Sequence, residues 1–61
     1  MPSVIRIFIE RDGMTRDEAI DRFVALQEEI MEIINYGGGY SDVEDILLGE
    51  GLEMDYIMDF I

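Results

Sequence analysis

The segment "TRDEAIDRFVALQEEIMEIINYGGG" constrains the fold more than any other stretch of the chain. Thr15 stands three residues before Glu18, the spacing of a capping box in which each side chain satisfies the other residue's free backbone N–H. Gly37, Gly38 and Gly39 then interrupt the pattern. No Pro or Gly falls between these two signals, so a long helix is expected from Thr15 to the glycines.

Wound at about 100° per residue, Ala19, Ile20, Phe23, Val24, Leu26, Ile30, Met31, Ile33 and Ile34 occupy roughly half of that helix, with Gln27 as the one polar interruption. Asp17, Asp21, Glu28, Glu29, Glu32 and Asn35 fill the other half. A stripe so wide exceeds what one neighbour covers. The helix is therefore expected to sit at the centre of the fold, covered from two sides and wet on the third.

After the glycines, "SDVEDILLGEG" repeats the start signal with Ser41 and Glu44, and Gly49 and Gly51 provide the stop. The stretch "LEMDYIMDFI" sets Asp55 and Asp59 four apart on one edge, with Met54, Ile57, Met58 and Ile61 turned away from them, which predicts a short closing helix. Met31 and Met58 are expected in the core. Met14 and Met54, at helix starts, suit a staple-like contact and a contact with a partner equally.

The N-terminal "SVIRIFIERDG" supports two readings. As a strand, its β-branched residues would put Ile5, Ile7 and Ile9 on one face, but no other segment offers a partner, so the strand would have to pair across a dimer in an α+β arrangement. As a helix, Ser3 caps the start, Arg6 and Glu10 pair at i and i+4, and Asp12-Gly13 ends it. The helix is preferred. The expected fold is all-α, a compact bundle of three to four short helices around one long central helix, with residues 1–61 forming a single small acidic domain.

A 61-residue chain buries only about 60% of the surface its unfolded form exposes. With no Cys for a disulfide and no His for zinc, its cohesion must come from packing or from a partner chain. Val4, Ile5, Phe8, Phe60 and Ile61 look like more apolar surface than one monomer can cover, which makes a homodimer a candidate. The longest apolar runs fall well short of a membrane span, and no signal-peptide layout is present, so a soluble intracellular protein is expected.

The net charge is −11, and it is uneven. Residues 1–22 hold all four arginines and five acids, whereas residues 23–61 hold ten acids and no base. Such a field repels nucleic acid and anionic membranes, so neither is expected to be a direct partner.

Chemistry is poorly provided for. The chain has no Cys, His or Lys, its hydroxyls are Ser3, Thr15, Ser41 and three tyrosines, and "GGGY" lacks the lysine and setting of a phosphate loop. No enzyme activity, cofactor or catalytic residue is expected. Carboxylate groups such as Glu28, Glu29 and Glu32, or Asp42, Glu44 and Asp45, do not follow the order of a calcium loop. They are read as a solvated face and an acidic first turn, with no metal site expected.

The "RDG" turn followed by a capping box, the "EDIL" run and the ending "GLEMDYIMDFI" resemble small acidic proteins encoded by tailed bacteriophages and prophages. The likeness spans roughly residues 10–61. It implies an all-helical fold and the cytoplasm of an infected or lysogenic bacterial host, and it carries over no catalytic or binding residue.

The expected function is stoichiometric binding to a host or phage protein with a basic surface. The acidic face that would meet it comprises Asp17, Asp21, Glu28, Glu29, Glu32, Asp42, Asp45, Asp55 and Asp59. A sharper alternative is a DNA mimic that inhibits a nucleic-acid-binding defence enzyme, of anti-CRISPR or anti-restriction type. On the long helix, Asp17, Asp21, Glu28 and Glu32 span roughly 22 Å at 1.5 Å per residue, where duplex DNA carries roughly thirteen charges. One helix is too sparse, so a mimic needs the later acids or a second copy. A virion assembly accessory is a further alternative.

Overall fold

The computed structural model describes residues 3–61 of the chain, which form four helical elements. They are α1 (Ser3–Glu10), α2 (Arg16–Asn35), α3 (Tyr40–Gly49) and a short 3-10 helix (Met54–Asp59). Among the described residues there is no strand, so the α+β alternative is overturned: residues 3–10 are helical. The helix leaves Ile5 buried and Ile7 and Ile9 half-buried, whereas a strand would have presented all three equivalently on one face. Arg6 Nε meets Glu10 Oε1 at 3.2 Å on the exposed side, as the i, i+4 spacing anticipates.

α2 begins where the capping box predicts. Thr15 is its N-cap, the Thr15 N–H donates to Glu18 Oε1 at 2.9 Å, and the Glu18 N–H donates to Thr15 Oγ1 at 3.2 Å. At the other end Gly37 takes φ +81°, and the Gly38 N–H returns to the Ile33 carbonyl at 2.7 Å. The chain there lies so close to α2 that a Cβ on Gly38 would collide with Ile33 Cγ2 and its carbonyl, so only glycine fits.

The start of α3 differs from expectation. Its N-cap is Gly39, and Asp42 reaches back to accept the Gly39 N–H at 3.4 Å, so Ser41 lies inside the helix. Asp42 stands to Gly39 as Glu44 stands to Ser41, and the extended glycine takes the first opportunity to start. Ser3 is likewise a helical residue and not a cap. α3 ends in a Schellman motif. Gly51 adopts φ +71°, its N–H donates to the Leu48 carbonyl at 2.9 Å, and the Leu52 N–H donates to the Leu47 carbonyl at 2.9 Å. Leu47 and Leu52, brought together by that turn, are both fully buried.

The core consists of Val4, Ile5, Phe8, Ala19, Phe23, Leu26, Ile30, Val43, Leu47, Leu52 and Phe60. Phe23 and Phe60 stack with ring centroids 4.7 Å apart and an interplanar angle of 16°, a pairing that contributes about 0.5–1.5 kcal/mol beyond area burial. α1 packs on α2, α2 on α3, α3 on the 3-10 helix, and the 3-10 helix back on α1. The elements thus close a ring in which each has two neighbours. This differs from short helices gathered around α2.

Two consequences correct the sequence-based core. α2 is covered by α1, α3 and Phe60 along a stripe narrower than half its circumference, so Val24, Met31 and Ile34 are exposed. The 3-10 helix repeats every 3.0 residues rather than 3.6, which puts Met54, Ile57 and Phe60 inward and Asp55, Met58 and Ile61 outward. Met58 is therefore 70% exposed and Ile61 65% exposed. Met14 and Met54 pack half-buried against the core, the intramolecular one of the two contacts open to them. Of the five residues that motivated a homodimer, Val4, Ile5, Phe8 and Phe60 are buried within one chain and Ile61 is exposed, in company with Val24, Met31, Ile34, Leu48 and Met58.

Candidate protein-binding surface

The nine candidate acids fall into three groups by where their carboxylates lie. Asp17, Asp21, Glu28 and Glu32 are exposed on the outer side of α2, where helical geometry gathers them within an arc of about 60°. Glu29, Asp42, Asp45 and Asp55 are also exposed, on the edge of α2, on α3 and on the 3-10 helix. Asp42 additionally serves the α3 start. The ninth candidate, Asp59, does not belong to the surface. It is half-buried, and its Oδ2 accepts the Val4 N–H at 3.1 Å, supplying the partner that the first turn of α1 lacks. The 3-10 period explains the correction: Asp55 and Asp59 share an edge at 3.6 residues per turn but not at 3.0.

The arginines have internal employment. Arg11 donates from Nη1 to the Gly51 carbonyl at 2.9 Å and from Nη2 to the Glu50 carbonyl at 2.8 Å, closing the last turn of α3 with a cation. It also holds Asp12 through Nε at 2.9 Å and Nη2 at 3.0 Å. That hydrogen-bonded pairing raises the Arg11 pKa and lowers that of Asp12. Arg22 pairs with the Glu50 carboxylate, joining α2 to the end of α3. Glu18 is held below its ordinary range by the backbone N–H of Thr15 and then by its hydroxyl. Three of the four arginines lie in the contacts just described with neighbouring acids, two of them joining distant elements.

Between the second half of α2 and α3 lies an open groove of about 470 Å³, lined by Glu29, Glu32, Ile33, Tyr36 and Ile46. Glu29, Ile33 and Tyr36 follow one another at i, i+4 and i+7 on α2, and Ile46 supplies the opposite wall. Tyr36, the C-cap residue of α2, is 83% exposed. The groove was missed in the sequence because its apolar residues read as ordinary core positions. The signal available was the i, i+4, i+7 spacing of a carboxylate, an aliphatic and an aromatic just before a glycine stop.

Gln27, the polar break in the α2 stripe, donates to the Phe60 carbonyl at 3.2 Å and so serves the packing of the closing segment. Among the described residues, no group of three acids converges to hold a metal ion, and no helix is long and apolar enough to cross a membrane. No known protein family, curated protein or solved structure matches the chain.

Proposed function

We propose that this chain acts by stoichiometric binding, offering an acidic surface of one sign to a protein with a basic face. The division of labour among charges carries the reading. Three of four arginines are engaged in internal contacts, whereas eight of the nine candidate acids face water. Three of the cations are neutralised by acids of the chain, and these eight acids have no arginine of the chain within ion-pair distance among the described residues. A field of this kind accelerates encounter with basic partners and disfavours acidic ones. On the resemblance to phage-encoded acidic proteins, the partner is a host or phage protein in the bacterial cytoplasm.

Mimicry of DNA is the second reading, favoured by dimensions. The molecule measures 33 × 18 × 17 Å, so its net charge of −11 amounts to about one per 3 Å of length. Duplex DNA carries about one per 1.7 Å. The whole chain thus reaches a little over half the duplex density, closer than α2 alone does. The target would be a nucleic-acid-binding defence enzyme of the anti-CRISPR or anti-restriction kind.

Capture from bacterial lysate at low and high salt tests both. Binding to a basic protein that is lost at high salt, and abolished in the D21K/E28K/E32K variant, supports the acidic-surface reading. Competition by duplex DNA for the same partner selects mimicry. Capture that survives both salt and charge reversal removes both readings.

A further inference from the structure

We infer that the groove between α2 and α3 seats an arginine-bearing segment of the basic partner, with the guanidinium at Glu29, Glu32 and Tyr36 and its methylene stem on Ile33 and Ile46. The inference deepens the acidic-surface reading by naming where on that surface the partner's cation is read.

Three observations support this occupant. The floor is apolar yet only half covered, since Ile33 and Ile46 pack against the core and still line the groove. A methylene stem covers such a surface while its charged head stays at the rim. Second, the rim carries Glu29 and Glu32, and among the described residues neither lies within ion-pair distance of an arginine of this chain. Two carboxylates one helical turn apart suit the planar fork of a guanidinium better than the point charge of an ammonium. Third, Tyr36 stands 83% exposed at the same rim, an aromatic face for a cation to stack on.

The shape of the groove also limits the alternatives. Gly38 lies against Ile33 without room for a side chain, two residues after Tyr36. An acidic or purely apolar peptide would leave both rim carboxylates unanswered or repelled.

The test is a titration of the isotope-labelled protein, followed by amide NMR shifts, with a blocked tetrapeptide alternating leucine and arginine. Counterparts carrying citrulline or lysine in place of arginine serve as controls. The expected result is saturable binding centred on Ile33, Tyr36 and Ile46, abolished with citrulline and roughly threefold weaker with lysine. E29Q/E32Q should weaken it about tenfold and Y36A about fivefold. Y36F should stay within about twofold of the parent, because it keeps the ring on which the cation stacks. Circular dichroism of each variant confirms that the helices persist.

Shifts spread along Asp17, Asp21 and Glu28 with Y36A unaffected, or no saturable shift at millimolar peptide, overturn the inference. The broader reading is separable from it. If the basic partner is retained equally by the parent and by E29Q/Y36A, the groove assignment fails and the acidic surface stands. If the peptide saturates the groove while no salt-sensitive partner is captured, the groove stands and the broader reading fails.

Discussion

Asp59 and Val4, 55 positions apart, are joined by a hydrogen bond of 3.1 Å from the Val4 amide to the Asp59 carboxylate. An acid that composition assigns to the surface is thereby the anchor of the first helix, and the two outer elements of the ring hold each other.

Replacing Asp59 by Ala leaves that amide and the positive end of α1 unanswered. The expected loss is about 0.5–2 kcal/mol, the range for removing an N-terminal capping oxygen. In a domain of this size each kcal/mol lowers the melting temperature by about 4–8 °C. D55A, which removes an exposed carboxylate of the same 3-10 helix, should leave the melting temperature nearly unchanged. Thermal circular dichroism of the two variants side by side gives the comparison, and equal losses would refute the anchor.

The 3-10 period makes a sharper distinction between adjacent residues. Phe60 is 1% exposed and stacked on Phe23, whereas Ile61 is 65% exposed. Truncating a buried Phe removes about 3–5 kcal/mol, against a total of about 3–9 kcal/mol expected for a 61-residue domain. F60A should therefore lower the urea midpoint steeply, by about a third or more of the parental stability, while I61A and M58A keep the parental midpoint. A closing α-helix would instead make M58A markedly destabilising.

The α2 capping box links stability to pH. Its hydrogen bonds depress the Glu18 pKa in the folded state, so its contribution is present above the ordinary carboxylate range of about 4 and is lost as pH falls through the depressed value. E18Q should be less stable than the parent at neutral pH, and the gap should close on acidification below the ordinary range. Urea midpoints measured across the acid limb report this. A gap that stays constant down to the lowest pH would mean the carboxylate charge plays no part.

Salt acts on the molecule as a whole. With a net charge of −11 and dimensions of 33 × 18 × 17 Å, every carboxylate lies within range of most others at 0.01 M salt, where the Debye length is about 30 Å. Raising sodium chloride to about 0.5 M should increase the melting temperature by on the order of 5 °C, because relief of self-repulsion outweighs the weakening of three ion pairs, of which Arg6–Glu10 is exposed and Arg22–Glu50 partly buried. A fall would mean that those pairs dominate.

Much of this architecture is legible in the chain because caps and stops are local. Thr15 with Glu18, the glycine after Asn35-Tyr36 and the Gly51 turn announce themselves within four or five residues, and the α-helical class follows from them. What the sequence conceals is of two kinds. The bonds from Arg11 to Glu50 and Gly51, from Gln27 to Phe60 and from Val4 to Asp59 join residues 33 to 55 apart, and no periodicity marks them. The other kind is a change of period. A sequence projected at 3.6 residues per turn sends Met58 and Ile61 inward and Asp59 outward, and the actual 3.0 reverses all three. The exposure of Val24, Met31 and Ile34 has a simpler cause: too few neighbours exist to cover half of a 20-residue helix.

The closed ring sets an order of events as the chain folds. The α1–α2 and α2–α3 pairs are joined by short turns and form without large loops, whereas the clasp between Asp59 and Val4 must close 55 residues of chain. That clasp belongs on the native side of the barrier. D59A should speed unfolding and leave the refolding rate nearly untouched, so the lifetime of the native state, more than the speed of reaching it, is governed by where the two outermost elements meet.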